Sequence, residues 1–65
     1  MVVDADALRD IMTKKLFTQV VLANESGLSL TTISRALRYD QVGLRSVKAI
    51  AEALGIDPVE IISEK

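Results

Sequence analysis

The 65-residue chain holds neither histidine nor cysteine, so it lacks the commonest general base, the commonest metal ligands and any disulfide. What remains is charge and hydrogen bonding. Outside residues 11–51, Asp4, Asp6, Asp10, Glu52, Asp57, Glu60 and Glu64 are set against only Arg9 and Lys65. Within that stretch, Lys14, Lys15, Arg35, Arg38, Arg45 and Lys48 outnumber Glu25 and Asp40 by four charges. The formal net charge of −1 therefore conceals a basic middle flanked by acidic ends. A phosphate-rich partner responds to the local field along its backbone rather than to the total charge of the protein. No nucleophile is paired with a base, so neither a catalytic site nor a metal site is expected, and no cofactor. So small a helical core also leaves little room for a substrate pocket.

Residues of this kind need a rigid frame, and the frame must come from apolar packing. Sixty-five residues make one domain, 1–65, near the lower limit for a core that forms unaided. Hydrophobic residues make up 49% of the chain and charged ones 26%, with Phe17 and Tyr39 the only aromatics. Ala7, Leu8, Ile11 and Met12 recur at helical spacing, which predicts an amphipathic first helix over 4–15. Leu16 and Phe17 break that pattern as a short apolar turn. Thr18 can cap a second helix running to about Glu25, and Gly27 suits the left-handed residue just past its end. Ser29 can cap a third helix, to about Arg38, with Ile33 and Leu37 facing inward. After a loop at 39–43, Leu44, Val47, Ile50, Ala51 and Leu54 trace a fourth helix closed by Gly55. Asp57-Pro58-Val59-Glu60 combines an Asp cap, proline at the first helical position and glutamate three residues after the cap. It predicts a fifth helix over about 57–63. No segment suggests strand pairing, so the expected class is all-α.

The most informative stretch is 18–38. Two helices joined by a tight turn must cross closely, so a small residue is needed where they meet, and Ala23 supplies it. Gly27 permits the turn, while Leu28 and Ile33 fill the space between the helices. With Thr18-Gln19, Leu22-Ala23, Gly27-Leu28-Ser29, Thr32-Ile33-Ser34-Arg35 and Ala51-Glu52-Ala53-Leu54-Gly55-Ile56, the chain resembles the Cro/repressor-like, or Xre-type, helix-turn-helix family over roughly residues 7–62. The resemblance implies a five-helix, lambda-repressor-like DNA-binding domain with a central helix-turn-helix, whose third helix enters the major groove.

It also implies roles for individual residues. Ser29, Thr31, Thr32, Ser34 and Arg35 would read bases, with Arg35 foremost because a guanidinium can donate twice to guanine O6 and N7. Gln19, Arg38, Tyr39, Arg45, Ser46 and Lys48 would hold the DNA backbone, partly alongside amides at the start of the fourth helix. Val59, Ile61 and Ile62 would form the surface of a homodimer on a palindromic operator. The implied function is a sequence-specific regulator of transcription acting as a repressor on double-stranded DNA. The alternative is an adaptor or antitoxin module that grips a partner protein through Val20 and Val21. No apolar run approaches the roughly 20 residues of a membrane span, and no leader layout is visible. The expected location is the cytoplasm, on the nucleoid when DNA is bound.

Five positions depart from the family pattern. Leu30 stands where relatives place a polar base-reading residue, and Val20 and Val21 stand where charged residues are common. Ser26 replaces a core apolar residue, which should loosen the end of the second helix. Tyr39 stands where glycine is frequent, so a positive φ there would be strained.

Overall fold

Asp4, Thr18, Ser29 and Asp57 each stand just before a helical segment and accept a hydrogen bond from a backbone amide of its first turn. Each bond satisfies one of the donors that a helix start leaves without a partner. The computed structural model describes residues 2–63; Met1, Glu64 and Lys65, at the two ends of the 1–65 domain, lie outside them. Its helices are α1 (Ala5–Lys14), α2 (Gln19–Ser26), α3 (Leu30–Ala36) and α4 (Leu44–Leu54). A single 3-10 turn, Pro58–Ile61, follows them.

Four α-helices are therefore present where five are expected. The capping box at the fifth forms as its sequence predicts, the Glu60 carboxylate accepting from Asp57 N–H and the Asp57 carboxylate from Val59 N–H, both at 3.0 Å. The segment nonetheless stops after one turn, because Ile62 is drawn into extended backbone opposite Val3. The described residues also contain strand-like pairing, which periodicity missed. Val3 pairs with Ile62 and Val2 with Gln41, both antiparallel. Asp4 N–H donates to the Ile61 carbonyl at 2.8 Å, and Ser63 N–H to the Val2 carbonyl at 3.0 Å. These bonds form a clasp between the first and last described segments. It places Val3 entirely inside the core, with Leu8, Leu22, Ile33, Val47, Ile50 and Ile61.

Around that core, α2 packs on both α3 and α4, while the 3-10 turn packs on α1 and α4. Fully burying each of these large side chains is worth about 1.5–3 kcal/mol, which is how so short a chain can offset its ordering entropy. A residue of positive φ stands at or shortly after the end of each α-helix, but only α2 and α4 use glycine for it, Gly27 and Gly55 at the cap itself. Beyond α1 stands Leu16 at φ 59°, and beyond α3 stands Tyr39 at φ 60°. The third helix consequently ends at Ala36 rather than near Arg38, with Leu37–Tyr39 completing a turn. Ser26 does not loosen α2. Its hydroxyl donates to the Ala23 carbonyl at 3.3 Å and accepts from Leu28 N–H at 3.3 Å, stitching α2 into the turn. No helix among the described residues is long and apolar enough to cross a membrane.

Candidate nucleic-acid interface

The turn between α2 and α3 fixes where α3 begins. Gly27 takes the left-handed conformation and donates to the Ala23 carbonyl at 3.0 Å. Two residues later Ser29 caps α3, its hydroxyl accepting from Thr32 N–H at 3.2 Å and lying 3.1 Å from the Thr32 hydroxyl. Ile33, Ala36 and Leu37 then anchor α3 in the core. Residues 30, 31, 35 and 38 are left on the exposed side, with Thr32 and Ser34 half-buried at its edges.

The five base-reading candidates are thus not equivalent. Thr31 and Arg35 are exposed, whereas the Ser29 and Thr32 hydroxyls already engage each other. Leu30 presents an exposed apolar side chain at the first position of the helix. Arg35 Nη2 donates to the Gln41 carbonyl at 3.4 Å, so the guanidinium leans toward the loop that precedes α4. Thr32, Arg35, Gln41, Val42, Gly43 and Ser46 together line a groove of about 340 Å³. Gly43 is the residue before α4 and has no side chain to cap it, unlike the residues before the other three α-helices. The first amides of α4 therefore open beside Arg35, a place where backbone donors and the helix dipole both favour an anion. Sequence reasoning named Arg45, Ser46 and Lys48 on the first turns of α4. It passed over Gly43, whose signal is the absence of a capping side chain.

Among the backbone-holding candidates, Gln19 is exposed at the first position of α2, and Arg45 and Lys48 are exposed on α4. Arg38 lies 3.9 Å from Asp40 with both side chains largely in solvent, an ion pair too weak to withhold it from a phosphate. Tyr39 lies apart from the groove, its phenol oxygen accepting from Asp6 N–H on α1 at 3.4 Å. That amide alone would lower the phenol's pKa. Desolvation and the nearby Asp6 and Asp4 carboxylates outweigh it and raise the pKa above the ordinary tyrosine value. Of the three residues expected at a dimer surface, Val59 is 64% exposed and Ile62 half-buried, but Ile61 is fully enclosed by its own core. Ile61 therefore has no surface to offer a second chain.

A helix-turn-helix family model matches residues 8–61, most of the chain. The chain belongs to the Xre-type helix-turn-helix family. It is similar to the restriction-modification controller protein C.AhdI from Aeromonas hydrophila, with 33% identity and a TM-score of 0.79 over 86% of each chain. It is also similar to part of native PhpD with cadmium atoms, at 26% identity and a TM-score of 0.83. A mutant of hydroxyethylphosphonate dioxygenase matches at 28% identity and a TM-score of 0.85. Those two matches cover 98% of the Xre-type chain but only 14% of the other chains. No curated protein matches the sequence.

Proposed function

We propose that the chain is a non-enzymatic transcriptional repressor that binds a specific double-stranded DNA site as a homodimer and reads the major groove with α3. The observation that carries this reading is the convergence of Arg35 with the uncapped start of α4 in one open groove. A guanidinium suited to guanine stands beside free helix amides suited to phosphate, and Arg38, Arg45 and Lys48 are exposed on the same two elements or just after them. Thr31 and Leu30 lie on the exposed side of α3, where a hydroxyl can meet a base edge or phosphate and an isobutyl group can meet a thymine methyl.

Dimension argues for two copies. Seven residues of α3 span roughly 10 Å, about three base-pair steps. The whole domain measures 27 Å along its longest axis, short of the roughly 34 Å between successive major-groove faces. One copy reads a short half-site, and a palindrome read by two copies supplies the remaining specificity. Val59 and Ile62 are the residues we assign to the pairing surface, with Ile61 supporting them from within.

The deciding experiment selects duplexes from a random pool with the unsubstituted chain, then measures affinity for the winning duplex against salt. Affinity should fall steeply as salt rises, and Arg35→Ala should cut the preference for the selected duplex about tenfold while leaving thermal stability unchanged. Enrichment of no sequence at all would end this reading. Sedimentation of the complex should show two chains per duplex, reduced to one by Val59→Glu.

A second reading is supported by α2, where Val20 is 54% exposed and Val21 also faces solvent. Apolar residues on both sides of a short helix suit an adaptor or antitoxin module that docks a partner protein. A similar fold also makes up 14% of a chain named as a hydroxyethylphosphonate dioxygenase. An adaptor would ignore duplexes at moderate salt and lose its partner on Val20→Glu.

A further inference from the structure

Helices α1 and α3 are held to each other through their ends. The first-turn amides of α1 have no partner within the helix. Asp4 accepts from Ala7 N–H, and the Tyr39 phenol, 33 positions away, accepts from Asp6 N–H at 3.4 Å. In the other direction, Arg9 Nη2 donates at 3.2 Å to the carbonyl of Leu37, which ends α3. Asp6 and Arg9 are three residues apart and so share one face of α1. Leu37 and Tyr39 bracket the turn in which α3 stops. Each helix thus caps the other.

We propose that Arg9 and Tyr39 are positioning residues whose reciprocal caps set the angle at which α3 is presented to DNA. The inference rests on the DNA-reading role proposed above. Helix α3 is only seven residues long, and its start is fixed by Ser29 and the turn at Gly27. Its other end runs into the exposed segment 38–41. A tilt of about 10° about the fixed end would shift the far end by roughly 2 Å. That exceeds the ~0.5 Å within which a base-reading side chain must be held. Arg35 lies within one turn of the clamp, and its carbonyl receives both Arg38 N–H and Asp40 N–H at 3.1 Å. The clamp therefore also fixes the backbone that carries the guanidinium. It accounts for Tyr39 as well: glycine would sit at φ 60° with less strain, but it has no phenol to reach Asp6.

The test measures, for the full chain, the ratio of affinities for the duplex selected from a random pool and for a scrambled duplex of equal composition. Arg9→Met keeps the length of the side chain without a donor, and Tyr39→Phe keeps the ring without the hydroxyl. Each should lower the ratio about fivefold, as loss of one aligned hydrogen bond would. Affinity for the scrambled duplex should stay within about twofold, because phosphate contacts are intact. Arg9→Lys restores a donor and should recover most of the ratio. Amide exchange at Asp6 should quicken in Tyr39→Phe. Ratios within about twofold of the unsubstituted chain in both variants, at unchanged melting temperature, overturn the proposal. Should Arg9→Met unfold, Tyr39→Phe alone decides. If the unsubstituted chain prefers no duplex, the DNA-reading role itself falls, an outcome distinct from failure of the clamp.

Discussion

Leu16 and Tyr39 end their helices in nearly the same strained backbone, at φ 59° and φ 60°, yet they use it differently. Around Leu16, the following Phe17 N–H reaches back to the Met12 carbonyl and Leu16 N–H reaches Thr13, so two carbonyls of the last turn are satisfied. The leucine side chain itself is 88% exposed and contributes nothing visible to that arrangement. At Tyr39 the backbone closes the turn in a similar way, but the side chain crosses to α1. One residue carries strain without compensation and the other turns the same geometry into a tertiary contact. Gly27 and Gly55 show the unstrained solution at the other two helix ends. Strain of this kind costs about 1–2 kcal/mol per residue, a sizeable fraction of what a domain this small can hold in reserve.

The comparison can be broken most sharply at a glycine. A Cβ added at Gly55 meets nothing within 4 Å, so the first cost of a side chain there is the positive φ rather than a clash at the β-carbon. Gly55→Val should destabilise the domain by about 2 kcal/mol in urea unfolding, since a β-branched residue tolerates positive φ worst. A cost near zero would mean that φ is not what these positions select. Leu16→Gly should act in the opposite direction and raise stability by about 1 kcal/mol. Its preference among duplexes should not change, because the leucine touches nothing in the interface. Tyr39→Gly should gain only about 0.5 kcal/mol, the relief of strain being offset by the lost bond to Asp6. The difference between these two glycine variants measures what the phenol contributes.

The smallest effect concerns pH. The folded chain holds the Tyr39 proton more tightly than the unfolded chain does, because its pKa is raised. Below the ordinary value of about 10 both forms keep the proton and stability does not respond. As pH climbs from there through the folded value, the unfolded chain ionises first and stability declines. Tyr39→Phe should remove that part of the alkaline decline. Since Tyr39 is the only tyrosine and there is no tryptophan, phenolate absorbance follows the group directly. Identical titration curves for folded and urea-unfolded protein would show that Asp4 and Asp6 do not act on it.

The same positions show which parts of the fold the sequence reveals. Thr18, Ser29, Asp57, Gly27 and Gly55 declare their roles because each residue type has a local reason to stand at a helix end. The exposed and buried sides of α3 follow from spacing. Leucine carries no mark of a left-handed turn, so Leu16 was legible only as a break in periodicity. The Val2–Val3 clasp was missed because two residues are too few to show alternation. Its partners, Gln41 and Ile62, are far away in the chain. Ser26 misled because its replacement of an apolar residue was visible while its two hydrogen bonds were not. The family resemblance and its apolar neighbours place Ile61 on a pairing surface, whereas the single turn that carries it packs on α1 and α4 and encloses it. The bonds from α1 to Leu37 and Tyr39 join residues 28 and 33 positions apart, beyond the reach of any local pattern.

The clasp also bears on how the fold can be joined to other sequence. Val3 and Ile62 are paired neighbours, so a chain that enters the domain at one leaves it beside the other. Host sequence interrupted at that point would be parted by little more than the width of a strand pair, about 5 Å. The fold is thus suited to insertion into a longer polypeptide.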